Sequence, residues 1–202
     1  MSEADIPLDE HLKPSEVLPR LKELGAILEG HFQLSSGRHS NRYFQCALVL
    51  QYPGLAKELG RLLAEQFNEL EIDFVLSPAV GGVIIGHEVA RGLGRRHVFA
   101  ERREAGFALR RGFEILKGEN ALIIDDVLTR GTSFHEMARL VEAHQAHVVG
   151  LGVIVDRREA DVRIEPLVAS LIEMEVRTWD PGQCPLCEQG IPLDSPGSRH
   201  AR

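Results

Sequence analysis

Cysteine is scarce: Cys46, Cys184 and Cys187 are the only three among 202 residues. So few, so unevenly spread, cannot build a disulfide framework, which agrees with a reducing compartment. Basic charge is short as well. With 23 Lys and Arg against 30 Asp and Glu, the formal net charge is −7, whereas broad nucleic-acid binding needs a basic face. No apolar run approaches the roughly 20 residues of a membrane helix, and the opening MSEADIPLDE is acidic where a signal peptide would be basic and then apolar. These absences predict a cytoplasmic protein with no nucleic-acid or membrane partner. HEVAR (87–91) and HEMAR (135–139) lack the second histidine of a HExxH helix, which excludes that protease zinc site. Neither a Walker loop nor a GxGxxG fingerprint occurs.

What is present is a repeating alternation. Ser15 to about Ala26 has helical spacing, with Ser15 a candidate cap. HFQL and RYFQCALVL resemble short strands around the turn-forming SSGRHSN, and a helix from Pro53 carries Leu55, Leu59, Leu62, Leu63 and Phe67 on one stripe. FVLSP, HVFAE, ALIID and HVVGLGVIVD follow, apolar without alternation, with VASLIEMEV as one more strand. Strands apolar on both faces belong to a mostly parallel sheet covered by helices, so the fold class is α/β. Ligands of such sheets gather outside the carboxyl ends of the strands.

One such end reads ALIIDDVLTRGTS (121–133). Adjacent carboxylates beside a buried strand repel each other and resist desolvation, so a metal ion or a polyol is the natural reason for them. Ser133 and Glu136 stand at capping-box spacing, which puts the loop at a helix N-terminus, where exposed amides favour a phosphate. A phosphate there leaves Asp125 and Asp126 one sugar ring away, able to accept ribose hydroxyls or steady positive charge on the sugar. Cys184 and Cys187 form C-x₂-C, only half of a four-ligand zinc site, so they read as a turn with two reduced thiols and no metal-site residues are assigned, a zinc shared between subunits being the alternative.

ALIIDDVLTRGTS resembles the diphosphoribosyl-binding motif of type I phosphoribosyltransferases, which use 5-phosphoribosyl 1-diphosphate with Mg²⁺ to join ribose phosphate to a nitrogen nucleophile. Three further pieces resemble orotate phosphoribosyltransferases: HFQLSSGRHSNRYFQ their N-terminal segment, SPAVGGVIIGHEVAR their diphosphate loop and following helix, and VDRRE the strand end that sends an arginine to the base. The similarity runs from about Leu24 to Arg177. It implies transfer of ribose 5-phosphate to orotate, giving orotidine 5′-monophosphate in pyrimidine synthesis, with Mg²⁺ as cofactor. It also implies a homodimer whose mobile loop reaches the neighbouring active site. A purine phosphoribosyltransferase, or a non-catalytic regulator on the same fold, are the alternatives.

The resemblance carries residue by residue. Asp125, Asp126, Val127, Leu128, Thr129, Arg130, Gly131, Thr132 and Ser133 would bind the ribose phosphate, with Thr129 also near orotate. Arg157 would contact the base, Tyr43 and Phe44 would wall its pocket, and Val80 and Gly81 would lie in the diphosphate loop. Residues 1–180 would form one domain, with a small hood from about 1–50 plus a C-terminal strand, and 181–202 an irregular tail. Two departures stand out. Ser35 occupies the place of a phosphate-binding lysine, and ERREAGFALRRGFEI (101–115) has neither Lys nor His. Arg102, Arg103, Arg110 and Arg111 remain, with Arg102 and Arg110 as the candidates for substrate contact. Arginine clamps diphosphate well but does not donate protons as Lys or His can. This loop and the CPLC tail resemble a Thermus-type subgroup.

Overall fold

The computed structural model of the protein describes residues 11–34, 36–104, 106–159 and 161–196; Ser35 lies outside them. The chain opens with α1 (Pro14–Glu23), β1 (Ile27–Gln33), β2 (His39–Phe44), α2 (Ala47–Leu50) and α3 (Pro53–Glu65). β3 (Phe74–Pro78), α4 (Gly81–Leu93), β4 (Arg96–Arg103), β5 (Gly106–Leu109), β6 (Asn120–Leu128) and α5 (Thr132–Ala143) make the centre. β7 (His147–Asp156), β8 (Val168–Glu173), β9 (Thr178–Trp179), a 3₁₀ turn (Pro181–Gln183) and α6 (Pro185–Glu188) follow.

Six strands form the main sheet in the order β5-β4-β3-β6-β7-β8. All neighbours pair in parallel except β5, which turns back on β4. The apolar strands serve two faces. Leu122 and Ile124 of β6 pack with Leu59, Leu63, Ile85 and Val89 of α3 and α4. Ala121 and Ile123 point the other way, into a cluster with Met137 and Val141 of α5, as the two-residue period of a strand requires. Phe67 lies across β7 only because Gly150 and Gly152 carry no side chain: a Cβ on either would come within 3.1 and 2.9 Å of its ring.

A second, antiparallel sheet of order β1-β2-β9 forms the hood. The segment beyond Asp180 is fastened to it. Gln33 N–H donates to the Asp194 carbonyl and Asp194 N–H to that of His31, both at 2.8 Å.

Three local expectations change. RYFQCALVL is not one strand, since β2 ends at Phe44 and Ala47–Leu50 is helical; a short apolar run suits either state, and here Val49 and Leu50 bury themselves from a helical turn. The first helix is capped at Lys13 rather than Ser15, because Glu16 accepts the Lys13 backbone N–H at 2.9 Å and Pro14 fits the first turn. VASLIEMEV pairs only as far as Glu173. Among the described residues, no helix is long and apolar enough to cross a membrane.

Candidate active site

β3 accompanies β6 only from Phe74↔Ala121 to Leu76↔Ile123, while β7 stays paired to Leu128↔Asp156. The β3 side of β6 is therefore open beyond Ile123, and Asp125 and Asp126 stand in that opening. They are the sixth and seventh of its nine residues, not at its end as the sequence suggests. Asp126 N–H donates to Asp125 Oδ1 and Val127 N–H to Asp126 Oδ1, each at 2.8 Å. Burial, and then the charge of Asp126, push the Asp125 carboxyl well above its usual range, against the opposing pull of that amide and of Arg102. The turn from β3 into α4 faces the pair: a Cβ on Gly81 would come 2.9 Å from Asp126 Oδ2, so bare backbone at the helix start approaches the carboxylate. Val80, the N-cap, is 85% exposed.

A cavity of about 310 Å³ opens beside the acids, walled by Asp125, by every residue from Val127 to Ser133, by Ser36 and by Arg102. Its floor is the start of α5. Gly131 takes a left-handed φ of 72° as the N-cap, and Thr132 is already helical. The expected capping box is thus displaced: Ser133 sits inside the helix, and no side chain caps its first amides. They remain available to a ligand at the positive end of the helix. Glu136, the other half of that box, turns to Arg102 instead at 2.8 Å. The contact is an ion pair rather than an aligned hydrogen bond, since Glu136 Oε2 has no hydrogen-bond partner among the described residues.

The stretch 101–115 is a hairpin in its first half, β4 returning as β5. Arg102 stacks over Phe107 at 4.3 Å and lines the cavity of its own chain. Arg110 and Arg111 fold back onto Glu101 at 3.2 and 2.7 Å, outside the cavity wall.

A second cavity, of about 90 Å³, shares Ser36, Thr129 and Arg130 with the first and is closed by Arg38, Arg157 and Thr178 among others. Arg157 is held by its backbone N–H to the Leu128 carbonyl at 3.0 Å. Its Nε is buried with no hydrogen-bond partner among the described residues. Burial lowers the Arg157 pKa, with Tyr43, Asp126 and Glu159 pulling it back up. Phe44 lies under the guanidinium at 5.9 Å and is buried in the core. Tyr43, on the opposite face of β2, tilts against Phe32 at 5.9 Å; burial and Asp126 raise its pKa. Neither ring forms the wall of the small cavity. The sequence reading missed Arg38, which binds Glu159 at 3.1 Å and the Thr178 carbonyl at 3.0 Å. Its signal was the lone cation of SSGRHSN, visible only once β9 is known to lie beside β2.

Residues 48–183 match the family model described as a phosphoribosyl transferase domain. An orotate phosphoribosyltransferase of Thermoanaerobacter sp. (strain X514) is 46% identical over 188 residues, 93% of this chain and 99% of the relative. One from Chlorobaculum parvum is 46% identical over 92% of this chain and 96% of its own length. Among solved structures, an orotate phosphoribosyltransferase from Aeropyrum pernix superposes with a TM-score of 0.65 at 25% identity, covering 78% of this chain and 93% of that one. An adenine phosphoribosyltransferase from Thermoanaerobacter pseudethanolicus shares the fold at 21% identity and a TM-score of 0.57, covering 66% of this chain and 88% of that one.

Proposed function

The chain belongs to the orotate phosphoribosyltransferase family, and from that membership we infer that it transfers ribose 5-phosphate from 5-phosphoribosyl 1-diphosphate to orotate. The bond from N1 of orotate to the anomeric carbon forms, the bond from that carbon to diphosphate breaks, and orotidine 5′-monophosphate results, a step of pyrimidine nucleotide synthesis.

The observation that carries the reading is the pair of cavities with a common wall. The larger offers the uncapped amides of α5 and the hydroxyls of Thr129, Thr132 and Ser133 to the 5′-phosphate. Asp125 and Asp126 face the ribose and steady the positive charge that grows on it as diphosphate departs. Val80, Gly81 and Arg102 receive the diphosphate. The smaller cavity takes the base, and Arg157, with a buried donor to spare, meets the negative charge of orotate. Phe44 supports Arg157 from below, while Tyr43, from the other face of β2, acts on its charge. Arg110 belongs to this set only if the hairpin leaves Glu101. Positioning and fixed charge do the work, since orotate already brings a nucleophilic nitrogen.

The acid pair also fits a hard cation. Mg²⁺ favours one or two carboxylates together with substrate phosphates, so Asp125 and Asp126 would hold it with the diphosphate, where it would neutralise leaving-group charge. A single domain over residues 1–180 with a tail over 181–202, a homodimer and a cytoplasmic location complete the reading. Their support is the family match from 48 to 183, the family resemblance of the sequence and three free thiols.

The test is product formation from 5-phosphoribosyl 1-diphosphate and Mg²⁺ with orotate, uracil, hypoxanthine or adenine. Orotate alone should be used efficiently, because uracil leaves Arg157 unmatched. Equal use of a purine would overturn the assignment.

A further inference from the structure

The thiols of the tail do not stand alone. His31 of β1 and His39 of β2 occupy one face of the hood hairpin, where Gln33 pairs with His39, and α6 with its preceding turn brings Cys184 and Cys187 onto that face. The four ligand atoms lie within 4.8 Å of one another. His31 Nε2 is 3.0 Å from His39 Nδ1, 3.5 Å from Cys184 Sγ and 3.7 Å from Cys187 Sγ, and Cys187 Sγ is 3.3 Å from His39 Nδ1. His31, His39 and Cys184 are only 3, 5 and 1% exposed.

Hydrogen bonding among the four does not account for this arrangement. His31 Nδ1 is 2.8 Å from the Ile191 carbonyl, which only accepts, so Nδ1 carries the ring proton and Nε2 presents its one lone pair to the cluster. One lone pair cannot serve three neighbours, but one cation between them can. Bonds of about 2.3 Å to sulfur and about 2.0 Å to nitrogen place sulfur and nitrogen about 3.5 Å apart on a tetrahedron, and the two nitrogens about 3.3 Å apart. The distances found fall close to that figure. The Ile191 contact is the kind of outer partner that orients a metal-bound imidazole.

We propose that His31, His39, Cys184 and Cys187 of a single chain form a closed, structural Zn²⁺ site that clamps the C-terminal tail to the hood. Two thiolates with two imidazoles in a tetrahedral set select zinc over hard cations such as Mg²⁺. The C-x₂-C half-site is completed from within the chain by histidines some 150 positions away. The loop between the two histidine strands supplies Leu34, Ser36 and Arg38 to the smaller cavity, so the clamp stiffens one wall of the site without touching a ligand.

The full chain, loaded with Zn²⁺ at micromolar concentration and gel-filtered, should retain about one zinc per chain by elemental mass spectrometry, and the folded Cys184→Ser/Cys187→Ser protein less than about a tenth. Co²⁺ loading of the wild type should give thiolate-to-metal charge-transfer absorption and intense tetrahedral bands. Chelation should lower the wild-type Tm by at least about 5 °C and leave the variant unmoved. If the variant does not fold, the wild-type Co²⁺ spectrum and zinc content decide. A wild type that retains no zinc, retains another metal in its place, or gives a Co²⁺ spectrum without thiolate bands overturns the proposal, as does a variant that binds zinc as well as the wild type.

Discussion

Arg157 and Arg158 follow one another past β7, and only Arg158 finds a carboxylate: it grips both oxygens of buried Asp156, Nε at 3.0 and 2.9 Å. Their variants should fail differently. Arg157→Ala should raise the KM for orotate at least about tenfold, the scale of one lost charge-assisted hydrogen bond, and affect the ribosyl donor less. Arg158→Ala should leave that KM alone and cost about 1–3 kcal/mol of stability, because Asp156 is left buried and unpaired; urea titration beside steady-state kinetics separates the two. Asp125 carries the opposite bargain. Its carboxyl titrates above the usual range when folded, so between the unfolded pKa and that raised value the folded state binds more protons and stability falls as pH rises. Asp125→Asn should therefore raise the Tm at neutral pH, while Asp126→Asn lowers turnover by roughly a hundredfold. Normal turnover in the double variant, or a lower Tm for Asp125→Asn, would contradict this. The acid pair and the arginine were legible because each rests on a short local pattern. The histidines opposite the CPLC thiols were not, since no local pattern records which distant strand a tail will lie on.

At the scale of elements, what the sequence displayed was periodicity, and where periodicity is mute it misled. The five parallel strands were visible as apolar runs between helices, but the run after Phe44 was too short to distinguish strand from helical turn. Ser133 matched a capping pattern that Gly131 pre-empts by starting the helix earlier. His97 shows another thing the pattern hides. It points from β4 to Ser77 of β3, 2.5 Å from its hydroxyl, with the His87 ring 6.0 Å away. Burial first, and His87 second, lower its pKa to about 4 from the usual 6.5. Between these values the unfolded chain holds the proton and the folded one does not, so stability rises with pH and is lost as pH falls from 6.5 toward 4. Because His97 keeps some exposure, about 2 kcal/mol is the expected size. Acid unfolding followed by circular dichroism should show that limb flattened in His97→Gln. An unchanged limb would mean that the ring is protonated in the fold.

For the molecule as a whole, the placement of Arg102 beside Asp125 of the same chain bears on how subunits cooperate. If each site takes both groups from one chain, as this placement suits, mixing Arg102→Ala with Asp126→Asn protein under subunit exchange should recover no more activity than the two give separately. Recovery would mean that the hairpin crosses to a partner. The hood has a further consequence, in time rather than space. β2 is flanked by β1, made just before it, and by β9, made near the end of the chain, and β1 takes its last partner at Asp194. Such distant pairings close late, after the long intervening chain has been made. A nascent chain on the ribosome can assemble the parallel sheet and bury its core while the hood hairpin still waits for its far strand. The smaller cavity is thus finished by segments translated well after the central sheet, and an interrupted product, however well that sheet is folded, would leave the wall of Arg38 and Thr178 unbuilt.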